Sequence, residues 1–207
     1  MEASGDLQDS LKEGLLEAAA GAGPLLQRDY WGLIQGCRCT PSEVMDMLDH
    51  RFAEFAPKEL VVFKREDGKT EAELEPGDEL KVHIVGAGKC HVRLIHRDAQ
   101  SLTLATLPGH PEAGRITFGA YRNEQGDVIF HIRSRARSGS QVTYLGFLTG
   151  GEAMQTNTWT DFVNAVALTV GEGIIGCIHA ETTVMKKEHE SEDDVLGPTF
   201  LARGDET

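Results

Sequence analysis

Trp159-Thr160-Asp161-Phe162-Val163-Asn164-Ala165-Val166-Ala167-Leu168-Thr169-Val170 is the stretch on which the fold turns. Trp159, Phe162, Val163, Val166, Ala167 and Val170 recur at steps of three and four, so a helix carries them as one broad apolar stripe. Gly171-Glu172-Gly173 stops it. A stripe this wide has to be buried against something. From Leu60 to about Leu145 the preceding chain alternates in short runs. Turn signals punctuate them at Asp67-Gly68, Pro76-Gly77-Asp78, Gly86-Ala87-Gly88, Asp98, Pro108-Gly109 and Gln125-Gly126-Asp127. This spacing predicts an antiparallel meander of about five to seven strands. The sheet needs a cover for its apolar face, and the helix supplies it.

Upstream, Thr40-Pro41-Ser42-Glu43 forms a capping box with proline at the first helical position. Val44, Met47, Leu48, Phe52 and Phe55 continue at helical spacing until Pro57. Tyr30–Cys39 reads as a first strand. Residues 8–20 predict a short amphipathic helix with Leu11, Leu15 and Leu16 on one side, ended by Gly21-Ala22-Gly23-Pro24. Ile174–Met185 predicts one more strand, and the chain from Lys186 onward reads as a polar tail. The expected organisation is an N-terminal arm over residues 1–25, a single α+β domain over 26–185, and an acidic mobile tail over 186–207. The expected fold class is α+β, a curved antiparallel sheet gripping a long C-terminal helix, with one helix inserted after the first strand.

Composition narrows the function. The chain has 207 residues, 40% apolar and 26% charged, which suits a globular domain. No run reaches the roughly 18–20 apolar residues of a membrane helix, and the N-terminus lacks the basic and apolar regions of a secretory signal. Four scattered cysteines, Cys37, Cys39, Cys90 and Cys177, point to a reducing compartment and a cytoplasmic location. The net charge of −13 repels phosphate at long range, which argues against nucleic acid as a partner. Charge is unevenly placed: residues 81–137 carry nine Lys or Arg against four Asp or Glu.

Thr106-Leu107-Pro108-Gly109-His110-Pro111-Glu112-Ala113-Gly114 is the most distinctive stretch. Ile116-Thr117-Phe118 and then Gly126-Asp127-Val128-Ile129-Phe130-His131-Ile132-Arg133 follow it. Over residues 102–138 the chain resembles the domain-of-unknown-function family numbered nineteen-ninety, with its Leu-Pro-Gly-His-Pro-Glu-Ser-Gly-like loop. Arg115-Ile116 replaces the acidic pair of that family, and Ser134-Arg135-Ala136-Arg137 alters its Ser-Arg-Pro tail. The family implies no activity. The element order also resembles the helix-grip fold of the START and birch-pollen-allergen superfamily, which implies an internal cavity between sheet and C-terminal helix.

Three readings of function stand side by side. A binding module would hold a small hydrophobic or amphipathic ligand against Phe118, Phe130, Trp159 and Phe162. An enzyme of unassigned reaction would use His110 and Glu112, presented two apart on a proline-stiffened loop, with Arg115 as an oxyanion partner. The same two side chains could instead cap backbone groups of the turn. An interaction protein would use a cationic sheet face, since period two places His131, Arg133, Arg135 and Arg137 on one side of their strand. Lys81 with His83, and His91 with Arg93, repeat the pattern. That face is either solvated with cross-strand acidic partners or a dock for an anion.

No cofactor and no metal site are expected. Gly171-Glu172-Gly173-Ile174-Ile175-Gly176 satisfies a dinucleotide-binding string but follows a helix and precedes a strand, the reverse of the required order. Cys37-Arg38-Cys39 lacks the second spaced pair of a zinc site. Oligomeric state and ligand identity are outside what these residues encode.

Overall fold

The computed structural model describes residues 10–65, 74–140 and 152–185. The acidic tail expected from residue 186 lies outside them, as does the turn expected at Asp67-Gly68. Eight antiparallel strands form one sheet: β1 (Ala22–Ile34), β2 (Val61–Arg65), β3 (Glu79–Ile84), β4 (Gly88–Arg97), β5 (Ser101–Thr106), β6 (Glu112–Arg122), β7 (Val128–Ser138) and β8 (Ile174–Val184). The order across the sheet is β2-β3-β4-β5-β6-β7-β1-β8. The helix α1 (Pro41–Phe55) is inserted after β1, and the long helix α2 (Glu152–Val170) precedes β8. Among the described residues six strands thus separate the two helices, within the expected range.

The start of α1 follows the capping logic. Glu43 N–H donates to Thr40 Oγ1 at 3.3 Å, and Thr40 N–H donates to the Glu43 carboxylate at 2.7 Å. Val44, Met45, Leu48, Phe52 and Phe55 are buried along one side. Asp49, also buried, accepts from Leu74 N–H at 3.0 Å and from Arg97 at 2.7 Å, tying the helix to β4. On α2, Phe162, Val163, Val166 and Ala167 are fully buried, and the helix lies against β1, β7, β8 and α1. The sheet therefore grips the tryptophan-bearing helix. No helix among the described residues is long and apolar enough to cross a membrane.

Two local expectations differ from the structure. The first strand begins at Ala22 rather than Tyr30 and ends at Ile34. A register irregularity between Ala22 and Leu26 accommodates Pro24, so the segment read as a breaker is strand. Within residues 10–20 the amphipathic helix is not continuous. After Lys12 the chain turns, and Leu16 N–H donates at 2.8 Å to the Thr106 carbonyl instead of closing a helical turn. The arm lies along the sheet, with Leu11 packed on Ile95 and Ala105.

Candidate functional site

Side chains alternate across a strand, so β7 turns Val128, Phe130, Ile132, Ser134 and Ala136 toward the core. The row shrinks along its length. On β6 the corresponding series is Ala120, Phe118 and Ile116, then Gly114 opposite Ala136. Large rings fill one end beneath α2. Phe162 packs against Phe118 at 5.3 Å, Phe130 at 6.3 Å and Phe52 at 5.5 Å between centroids. At the other end the small residues leave a cavity of about 100 Å³. Its walls are apolar, from Val61, Val82, Ile84, Val92 and Leu104, and α2 roofs it with Met154, Gln155, Thr158 and Trp159.

One end of this cavity is polar. Arg28 on β1, 2% exposed, reaches Glu112 at 3.2 Å, and Gln155 Nε2 donates to the other carboxylate oxygen. Burial pushes the Glu112 carboxyl up; the Arg28 charge and the hydrogen bonds from Gln155 and Arg28 pull the other way without cancelling it. His110 Nδ1 accepts the Glu112 backbone N–H at 3.0 Å. The Glu112 carbonyl lies at the same 3.0 Å from Nδ1, and burial lowers the imidazole to about 4, so at neutral pH it is uncharged. Three further groups are buried with no hydrogen-bond partner among the described residues: Ser134 Oγ, Gln155 Oε1 and Trp159 Nε1. All three residues line the cavity.

A family model described as Domain of unknown function (DUF1990) matches residues 50–165, and these residues supply the meander, the Pro-Gly-His loop and most of α2. The chain belongs to this DUF1990 family. No curated protein matches it. Among solved structures, the DUF1990 chain is similar to a conserved protein from Geobacillus kaustophilus at 14% identity and a TM-score of 0.49, over 75% of this chain and 99% of that one. It is similar to the ginseng major latex-like protein 151 from Panax ginseng at 13% identity and a TM-score of 0.41, over 72% and 99%. Ara h 8.0201 is similar at 11% identity and a TM-score of 0.41, over 70% and 97%.

The structure separates the residues singled out in the DUF1990 sequence. Of Phe118, Phe130, Trp159 and Phe162, Trp159 lines the cavity; the three phenylalanines have no exposed surface and pack on one another beside it. His110, Glu112 and Arg115 all reach the cavity. The His110 Nδ1 atom is engaged by turn backbone, however, and the Glu112 carboxylate is held by Arg28 and Gln155.

On the outer face, His131 and Arg133 share Asp29 Oδ1 at 2.6 and 2.5 Å, and Arg135 donates to Gln27 Oε1 at 2.9 Å. Arg137 donates to the Gly23 carbonyl. Burial raises the Asp29 carboxyl, but hydrogen bonds and charge from His131 and Arg133 prevail and hold it at about 2. Lys81, His83, His91 and Arg93 lie on the adjacent strands β3 and β4, with β5 and β6 between them and β7.

Sequence reasoning did not single out Arg28, Ser134 or Gln155. One signal was present: Ser134 interrupts the Phe130-Ile132 row on the apolar parity, and Arg28 sits on the inward parity of β1 between Leu26 and Tyr30.

The low value for His110 has a consequence for stability. Its folded pKa of about 4 lies below the ordinary histidine value of 6.5, so between these values the unfolded chain binds a proton that the folded chain does not. Stability from this group is therefore complete above about pH 6.5 and is lost as pH falls toward 4, by at most on the order of 3 kcal/mol. Glu112, raised from 4.5, acts in the opposite sense and favours the fold at lower pH. In urea titrations from pH 7 to pH 4, His110→Asn, which keeps an acceptor for Glu112 N–H, is expected to remove the His110 part of the slope. An unchanged slope would overturn the assignment.

Proposed function

We propose that this DUF1990 protein binds a small, mostly apolar molecule between the inner face of its sheet and α2. The supporting observation is the cavity itself, about 100 Å³ with aliphatic walls beneath Trp159. A 150 Å³ apolar cavity holds benzene; at about 100 Å³ this one takes a short chain as it stands, and a single ring once the Met154 and Trp159 side chains move outward. Burying a ring of roughly 200 Å² releases about 5 kcal/mol gross at 25 cal/mol/Å². Association entropy offsets part of it, which leaves an affinity on the order of 1 mM or weaker for an apolar probe.

Toluene titrated into ¹⁵N-labelled protein is the direct test. The Trp159 indole N–H and the Val92 and Leu104 amides are expected to shift saturably. Trp31 is an internal reference, because its ring stacks on His179 at 3.8 Å away from the cavity. Val92→Phe fills the space and is expected to abolish the shifts. No shift at the solubility limit of toluene, or the same shifts in Val92→Phe, would refute binding in this cavity.

A further inference from the structure

Ser134 Oγ, Gln155 Oε1 and Trp159 Nε1 are each buried without a hydrogen-bond partner among the described residues. Ser134 is 4% exposed. Gln155 and Trp159 stand four residues apart on α2, which puts them on one face of the helix one turn apart. Ser134 faces them from β7, directly opposite Arg28 in the β1–β7 register. Leaving a buried polar atom unsatisfied costs about 1–3 kcal/mol, so three on the lining of one cavity point to a group that completes them.

The chemistry of the three atoms restricts that group. Trp159 Nε1 can only donate. Gln155 Oε1 can only accept, and the donation of Nε2 to Glu112 fixes which end of the amide is the oxygen. Ser134 Oγ does either. A hydroxyl has one hydrogen and two lone pairs. It can donate to Gln155 while accepting from Trp159 and Ser134, so its donor and acceptors complement all three. A carboxylate has no hydrogen for Gln155 Oε1. An ammonium has no lone pair for Trp159.

We propose that the cavity recognises an uncharged hydroxyl-bearing molecule, a phenol or alcohol of single-ring size, through Ser134, Gln155 and Trp159. This rests on the ligand-binding reading above, and deepens it to a substrate class.

The test compares matched probes of one shape: toluene, p-cresol and p-toluate, titrated at pH 7.5 and followed through the Leu104 amide. p-Cresol is expected to bind at least tenfold tighter than toluene, and p-toluate no tighter than toluene. In Ser134→Ala and in Trp159→Phe, which keeps the ring and removes the N–H, the p-cresol to toluene affinity ratio is expected to fall about fivefold or more. Because the readout is a ratio within each variant, a general loosening of the cavity does not imitate the result. A wild-type ratio near one, with toluene still binding, overturns the hydroxyl assignment, leaves the cavity as a binding site, and assigns the three atoms to trapped water. A ratio unchanged by both substitutions also overturns it. Absence of binding by toluene and p-cresol alike defeats the underlying reading instead.

Discussion

Phe162→Ala is expected to lower the stability of the fold by about 3–5 kcal/mol, the range for deleting a buried aromatic ring. Phe162 has no exposed surface and is the ring on which two layers meet. It contacts Phe52 and Phe55 of α1 at 5.5 and 5.8 Å, Phe118 and Phe130 of the sheet, and Trp159 one turn earlier at 6.0 Å. Those rings come from four different elements, so the space left by a methyl group cannot be closed by the movement of one of them. For a chain of this size the melting temperature should fall by roughly 2–4 °C per kcal/mol. Calorimetry and urea unfolding measure it, and a loss under 1 kcal/mol would show that the helix does not lock the sheet at this point.

Gly114→Ala should be at least as damaging, for a backbone reason. Gly114 has φ +150°, where side chains are strained, and a Cβ placed there lies 2.2 Å from the Arg135 carbonyl oxygen and 2.7 Å from the Ala136 Cα. The obstruction is main chain, which no rotamer change relieves. Strain in such a region costs about 1–3 kcal/mol by itself, and the overlap adds to it by forcing β6 away from β7. The expected outcome is a total loss above about 3 kcal/mol or failure to accumulate folded protein. Gly109 is the contrast: it has φ +91° but nothing within 4 Å, so Gly109→Ala carries only the conformational penalty. Equal stability of Gly114→Ala and wild type would mean that the two strands do not approach as closely as described.

This pair of glycines shows where sequence was legible. Pro108, Gly109, Pro111 and Gly114 marked a stiff connection; Gly109 lies in the tight turn that joins β5 to β6 and Gly114 just inside β6, both at positive φ. The capping box at Thr40 set the start of α1 for the same reason: the interaction spans three residues and needs no partner from elsewhere. Periodicity was equally local on α2. The strand start at Ala22 was not legible, because Ala22 pairs with Ser138 of β7 across an irregularity that takes up Gly23 and Pro24. The candidate site was legible in its loop and in Trp159. It was not legible in the three phenylalanines, because an apolar residue facing inward can either line a space or fill it, and volume alone distinguishes them.

The amino-acid sequence by itself determined the α+β class, the order of helix and meander, the closing helix with its buried stripe, and membership of the 50–165 region in its family. Only the tertiary structure decided that the inward rows taper to Ser134 and Ala136, that Arg28 crosses to Glu112, and that the cationic row on β7 meets Asp29 and Gln27 of β1. The physical reason is range. Helix stripes, caps and turns are set by neighbours three or four residues away, whereas a cavity and a buried ion pair depend on residues 84 apart, brought together by a strand order that no local pattern encodes.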